Sequence, residues 1–408
     1  MNNNSKLNLK LGSVASINTV FGVVFQFLIL YAYGLGEILD SYFIALSIIQ
    51  FFYTILNTGI LKVFTIKLKE SEHYKLIFSQ NLIVYLFTII VFSFVMYFLS
   101  NYITKIFDSS EFSTNYFKIL IFTLPFGVVT FICSSLLHSK KDHVTPELLS
   151  LTSFILFIVF FLIFYTNIPN YALPLSFIFK EAILSILIIF KCRKNFVTNN
   201  LVKTNMIIFN ELKVIFAGNL IYKAGPMIDK FLLAGFPSGS ISILNYAELA
   251  FNSTNRVINR VFEQRLIVEF YENNKFRFGH FLKFILIGFA VSLVIFFIYP
   301  EIFNILIEYK IINSFNLETF TKLNLYYSLL ILLSILMVYL SSTIISRKQF
   351  NLLVGSGILT FIIGIFTKYQ LISITSNLNA IPLGLILNYF LLILILYYKI
   401  IQHEKRRN

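Results

Sequence analysis

Between Leu76 and Asn101 the chain reads LIFSQNLIVYLFTIIVFSFVMYFLSN, 26 residues without an Asp, Glu, Lys, Arg or His. A helix rises about 1.5 Å per residue and the hydrocarbon core of a bilayer is about 30 Å thick, so this run is long enough to cross it with some tilt. In water its Phe, Ile and Val content would suggest a strand. Hydrocarbon offers the backbone no partners, so an apolar run of this length satisfies its own amides and carbonyls as a helix. The remainder has the same character: 408 residues, 57% hydrophobic and 13% charged, with 48 Phe and a mean hydropathy of +0.80. Soluble proteins carry roughly 25% charged residues. A water-soluble globule is excluded, and no length remains for a large soluble catalytic domain.

Apolar runs near the spanning length fall at 11–35, 40–64, 76–101, 116–138, 147–166, 172–191, 213–235, 239–262, 278–299, 319–346, 352–369 and 378–400. They predict an all-α polytopic membrane protein of about twelve transmembrane helices. Tyr and Phe near the ends of the runs suit interfacial anchoring, while Trp is absent. The run from Leu11 follows Lys6 and Lys10 with no small-residue cleavage site behind a short core, and reads as a first membrane helix rather than a removed signal peptide.

The net charge of +14 is distributed unevenly. Nineteen Lys and Arg fall in the termini and alternate loops on one side, against Lys105, Lys310 and Lys368 on the other. That split is a positive-inside signal and places both termini in the cytoplasm. The basic balance is therefore topological, and a nucleic-acid partner is not expected. Cys133 lies in an apolar run and Cys192 beside a Lys/Arg cluster, which supports neither a disulfide framework nor a metal site. Of the histidines, His138 and His143 flank one loop and the others are isolated, so no metal cluster is expected.

Two turns resemble each other across half the chain: GLGEILDSYFIA (Gly34–Ala45) between the first two runs and GSISILNYA (Gly239–Ala247) between the seventh and eighth. An even number of spans per half makes such copies parallel repeats about an axis along the membrane normal. The expected organisation is an N-terminal six-helix lobe at 1–191, a cytoplasmic linker at 192–207 and a C-terminal six-helix lobe at 208–408, with a central cavity between the lobes.

The first stretch, followed by NTGIL (Asn57–Leu61), and the second, preceded by PMIDKFLLA (Pro226–Ala234), resemble the openings of the two halves of lipid II flippases of the MurJ type and of related Wzx-type O-antigen flippases. These belong to the multidrug/oligosaccharidyl-lipid/polysaccharide exporter superfamily. The direct match covers about 80 residues. The chain departs from the lipid II flippases where they carry an Arg-Asp pair in the first helix and arginines early in the second. Here those places hold Phe25-Gln26 and Tyr53. The chain also lacks their two further C-terminal helices. The resemblance therefore implies a Wzx-like carrier of another undecaprenyl-linked glycan, in a bacterial cytoplasmic membrane.

Ionised groups within spans are costly and mark protein-facing or hydrated positions. Lys180 and Glu181 sit near the middle of the sixth span; as sequence neighbours they are expected to point to different sides and not simply to neutralise each other. Lys223 lies midway along the seventh, just before Gly225-Pro226, which would loosen or kink the helix. Glu248 lies near the middle of the eighth, where an ion pair with Lys223 and a role in binding or coupling are equally open. The eighth span carries Asn245, Glu248, Asn252, Asn255/Arg256, Asn259 and Glu263 at spacings of three and four, one polar face of a helix. That seam suits a hydrated cavity in which amides meet sugar hydroxyls and Arg256 and Arg260 meet a diphosphate. Alternatively the arginines, with Arg265, mark the cytoplasmic end. Asp229 and Lys230, in the outer part of the seventh span, suit either binding or inter-lobe bracing. Asp40, with Ser41 beside it, suits a helix N-cap or a coupling role, and Lys62 is expected to snorkel to the inner headgroups.

The function expected is translocation of an undecaprenyl-diphosphate-linked oligosaccharide to the outer leaflet by alternating access, for cell-surface polysaccharide biosynthesis. No enzyme activity and no cofactor are expected. A Na+ or H+ gradient or the membrane potential would bias the cycle. The partners expected are the lipid-linked glycan, membrane lipids and other polysaccharide-assembly proteins. The alternatives are a polytopic glycan polymerase or glycosyltransferase, for which the longest external loop (about 300–318) carries only Glu301, Glu308 and Glu318 as acids, and a multidrug exporter of the same superfamily.

Overall fold

The computed structural model describes residues 3–107, 110–197, 224–258, 266, 270, 278–308, 317–347 and 349–407. It is built of α-helices: α1 (Asn3–Tyr33), α2 (Glu37–Glu70), α3 (Tyr74–Phe107), α4 (Glu111–Leu120), α5 (Thr123–Ser139), α6 (Val144–Asn167), α7 (Ala172–Cys192), α8 (Gly225–Leu232), α9 (Ser240–Ile258), α10 (Phe278–Glu308), α11 (Leu317–Ser346), α12 (Phe350–Thr375) and α13 (Ala380–Arg407). Nine helical stretches among the described residues are long and apolar enough to cross a bilayer, and α4 and α5 form one of them, Glu111–Ser139. The other three of the twelve expected spans correspond to α1, whose apolar part is Ile17–Tyr33, and to α8 and α9.

Several boundaries differ from the sequence reading for identifiable reasons. The fourth span breaks at Ile121–Phe122 because Pro125, two residues into α5, has no amide proton and its ring excludes the carbonyl four residues back. Thr123 Oγ1 instead donates to the Leu120 carbonyl at 2.6 Å. At the start of α2 the helix begins at Glu37, so Asp40 is a first-turn residue and not an N-cap. There a carboxylate is favoured by the positive end of the helix dipole. The expected loop at 300–318 is shorter at its first end, since α10 continues through Pro300 to Glu308. Lys368, read from sequence as a loop residue, lies within α12 and is buried.

The helices form two compact units, one of Met1–Phe25 with Glu37–Gly235 and the other of Gln26–Gly36 with Phe236–Asn408. In the first, α5 packs on α2 and α7, and α6 packs on α7. Phe25 fills a ring cluster with Phe154, Phe157 and Phe161 at centroid distances of 5.8, 4.3 and 5.3 Å. Each end of this unit has its own polar ties. At one end Ser110 Oγ donates to Glu37 at 3.0 Å, Ser41 to Ser110 at 3.2 Å, and Asn115 to the Tyr171 hydroxyl at 3.4 Å. At the other, Lys140 Nζ donates to Asn195 at 2.6 Å, Asn18 to the Glu147 carbonyl at 3.2 Å, and the Val197 amide to Ser79 at 3.0 Å.

In the second unit α11 packs against α9, α10 and α13, and α12 against α13. The two turns matched in sequence meet here. Gly34 and Gly239 both have positive φ, +65° and +90°, which only glycine adopts without strain. A Cβ added at Gly239 would sit 3.4 Å from Leu35 Cβ. Tyr246 donates to the Gln26 carbonyl at 3.0 Å, and its own carbonyl accepts from Tyr299 at 2.7 Å. Between α12 and α13 the backbones approach at paired glycines: a Cβ on Gly364 would lie 3.2 Å from the Gly384 carbonyl oxygen. Lipid tails are as apolar as leucine, so close backbone approach and interhelical hydrogen bonds hold such helices together.

Candidate functional site

In the first unit the polar centre is Glu181, buried in α7. Its Oε1 lies 2.8 Å from Lys180 Nζ, and its Oε2 accepts from the Tyr53 hydroxyl at 3.0 Å. The Tyr53 hydroxyl also lies 3.0 Å from the Thr123 carbonyl oxygen. The expectation that Lys180 and Glu181 would not neutralise each other is therefore corrected. Adjacent positions diverge by about 100° at Cβ, but the four-carbon lysine stem reaches back across that angle. The Phe177, Phe157 and Phe154 rings hold the ammonium there, at 4.7, 5.9 and 6.0 Å from their centroids. Cation–π attraction of this kind strengthens when the cation is shielded from water. Gly127 makes room for the phenol: a Cβ there would fall 2.6 Å from Tyr53 Cζ.

In the second unit the polar stripe of α9 divides into two edges. At about 100° per residue, Glu248 and Asn255 lie within about 20° of each other around the helix, and Asn245 and Asn252 lie together about 50° further round. The Glu248–Asn255 edge faces α11. Tyr327 donates to Glu248 Oε1 at 2.9 Å, and two turns on Ser334 donates to Asn255 Oδ1 at 2.5 Å. Glu248 is buried, whereas Asn245 is half-buried and Asn252 exposed. Part of the stripe thus joins helices, and the other edge remains accessible. Arg256 is helical in α9; Lys223, Asn259, Arg260, Glu263 and Arg265 lie outside the described residues.

Asp229 and Lys230 are both buried, in α8, whose first turn holds Pro226 where a missing amide proton costs nothing. Asp40 is buried in the first turn of α2. Lys368 is buried with its stem packed over Gly384, and Asn388, one turn along α13, is buried with its Oδ1 unbonded. Sequence reading missed Tyr53, Tyr327 and Ser334 as partners of the acids and amides, because Tyr and Ser are common in every span. Lys368 carried a signal, a cation inside an apolar run, but was placed beyond the end of that run.

His138 and His143 stack, with Nδ1 atoms 2.7 Å apart. Cys133 and Cys192 are free and buried, and Cys192 Sγ lies 3.7 Å from the Cys133 carbonyl oxygen. Among the described residues no three metal-ligating side chains gather.

No family model matches the chain, and no curated protein does. Solved structures do. The lipid II flippase MurJ in an inward closed conformation matches at a TM-score of 0.77 and 17% identity, over 95% of this chain and 87% of that one. An inward-facing multidrug resistance MATE family transporter of the MOP superfamily matches at 0.66 and 14%, over 97% and 95%. A mutant form of the Vibrio cholerae MATE transporter VcmN matches at 0.64 and 12%, over 99% and 98%. The class is that of all-α, multi-pass membrane proteins. More particularly, the chain shares its fold with the lipid II flippase MurJ and with MATE family transporters.

Proposed function

We propose that the protein is a flippase that carries an undecaprenyl-diphosphate-linked oligosaccharide from the cytoplasmic to the outer leaflet of a bacterial inner membrane. The observation that carries this reading is the fold likeness: the TM-score is 0.77 to the lipid II flippase, against 0.66 and 0.64 to the two MATE transporters. The accessible edge of α9 supports it. Asn252 is exposed on α9, the helix of the eighth expected span, and in a bilayer an amide there is stable only against water or a polar ligand.

In this reading Asn245, Asn252 and Asn259 offer hydrogen bonds to sugar hydroxyls, and Lys223, Arg256 and Arg260 meet the diphosphate. The prenyl chain stays in lipid. Glu248, held by Tyr327, fixes α9 against α11 and so positions the edge that binds. The Lys180–Glu181 pair, Asp40, Asp229 and Lys230 are the charges through which a Na+ or H+ gradient or the membrane potential would bias the inward–outward equilibrium. A ligand shifts such an equilibrium only by its differential affinity for the two states.

The test is reconstitution into liposomes with a lipid-linked glycan, following exposure of head groups to an external glycosidase. Head groups become accessible with the wild-type protein, and Asn252→Leu and Arg256→Ala slow the process while leaving folded protein. If no gradient drives exposure of any lipid-linked glycan, the reading fails.

A further inference from the structure

A second polar site lies in the first unit, away from Glu181 and from the proposed glycan path. A cavity of about 480 Å3 opens between α3, α4 and α7, lined by Tyr97, Asn115, Lys118, Phe122 and Tyr171 among others. Lys118 is half-buried. It stands seven residues into α4, about 10 Å along the helix from its first residue. Its ammonium lies 5.9 Å from the Tyr97 ring centroid, and no carboxylate lines the cavity. Among the described residues Lys118 has no ion pair.

The groups around it are donors in surplus. Tyr171 accepts from Asn115 at 3.4 Å, yet its own O–H has no acceptor among the described residues, and neither has that of Tyr97. A cation at this depth is costly without a counter-charge. An acceptor-rich anion answers all of these at once: phosphate oxygens take an ammonium and two phenol donors in charge-assisted hydrogen bonds. The four-carbon stem lets the ammonium reach back toward headgroup level.

The surroundings say what carries that phosphate. Beside Tyr97 on α3, Phe94 is 50% exposed and Phe98 74%, and on α7 Phe179 is 40% exposed. Only hydrocarbon covers such a face in a bilayer. We infer that this pocket binds the phosphate of an anionic glycerophospholipid of the surrounding membrane, its acyl chains lying along α3. The inference needs only a membrane-embedded chain and stands apart from the transport reading.

The experiment is native mass spectrometry of the full-length protein, delipidated in mild detergent and titrated with phosphatidylglycerol, phosphatidylethanolamine, a lipid-linked diphosphate glycan and inorganic phosphate. Wild-type protein retains phosphatidylglycerol in preference to the other three. Lys118→Gln loses about tenfold in its retention, the scale of one charge-assisted contact, while Lys118→Arg keeps it. Tyr171→Phe weakens retention by a few fold and serves as the readout should Lys118→Gln not fold. Equal retention by wild type and both weakened variants overturns the site. So does a preference for inorganic phosphate, which would make it a free-ion site, or for the lipid-linked diphosphate, which would make it a substrate site.

Discussion

The Tyr53 hydroxyl joins α2 to Glu181 on α7 with a 3.0 Å hydrogen bond. Its single proton is shared between that carboxylate and the Thr123 carbonyl, also at 3.0 Å, so one phenol ties α2, α5 and α7 together. Lys180 completes the arrangement from the other side of the acid. The result is an internal ion pair in a membrane protein, neutral as a whole and closed off by Phe154, Phe157 and Phe177.

Removing one member of that pair leaves an uncompensated charge in a low-dielectric setting. Glu181→Gln is expected to destabilise the protein by about 3 kcal/mol, since breaking a buried pair from one side costs more than replacing both partners. The double variant Lys180→Met with Glu181→Gln is expected to recover more than half of the loss. Thermal unfolding of the detergent-solubilised protein measures both, and a double variant less stable than either single one would contradict the pairing.

Tyr53→Phe keeps the ring and removes the donor, leaving Glu181 Oε2 short of a partner. A loss of about 1–3 kcal/mol follows from leaving a buried acceptor unsatisfied. Gly127→Ala acts on the same phenol by another route, because the new methyl would overlap Tyr53 Cζ and Oη, 2.6 and 2.7 Å away. Overpacking of this kind costs about 1–3 kcal/mol. If Tyr53 is the clash, Gly127→Ala is far milder in a Tyr53→Ala background, and an unchanged cost there removes Tyr53 as its cause.

Much of the fold was legible because membranes simplify the code. A run such as Leu76–Asn101 has only one way to satisfy its backbone in lipid, and it forms the middle of α3. The glycine turns were legible as a matched pair: Gly34 closes α1, Gly239 directly precedes α9, and both have positive φ. Partners were not legible. Nothing in the sequence tells that Glu248 meets Tyr327 rather than another of the 23 tyrosines, because the pairing depends on which faces of α9 and α11 pack. The Lys180–Glu181 pair was misjudged from backbone angles alone, which ignore how far a lysine stem travels. Asp40 was misjudged because α2 begins directly after Gly34–Gly36, three residues earlier than the second apolar run suggested.

The division of the α9 stripe predicts different consequences for its two edges. Tyr327→Phe leaves Glu248 without a 2.9 Å donor and is expected to lower stability by about 1–3 kcal/mol, with a matching fall in folded yield. Asn252→Asp, on the exposed edge, is expected to leave the unfolding temperature within the small range of surface substitutions while changing glycan exposure in liposomes. Loss of stability at Asn252 with normal stability in Tyr327→Phe would reverse the two roles.

The close crossing of α12 and α13 gives a last test. Lys368 lays its stem over Gly384, and a Cβ at that position would overlap Lys368 Cγ. A Cβ at Gly364 meets softer limits, 3.1 Å to Asn388 Cβ and 3.2 Å to the Gly384 carbonyl oxygen. Gly384→Ala therefore forces either the buried lysine stem or the helix to move, at about 1–3 kcal/mol by overpacking. Gly364→Ala is expected to cost less, since a few tenths of an ångström suffice. Shortening the obstacle discriminates the causes: in a Lys368→Ala background Gly384→Ala is expected to cost less, because the stem it strikes is gone and only the 3.0 Å approach to the Gly364 carbonyl oxygen remains. Separate additive losses for the two changes would mean that the backbone crossing, and not the lysine, sets the requirement for glycine.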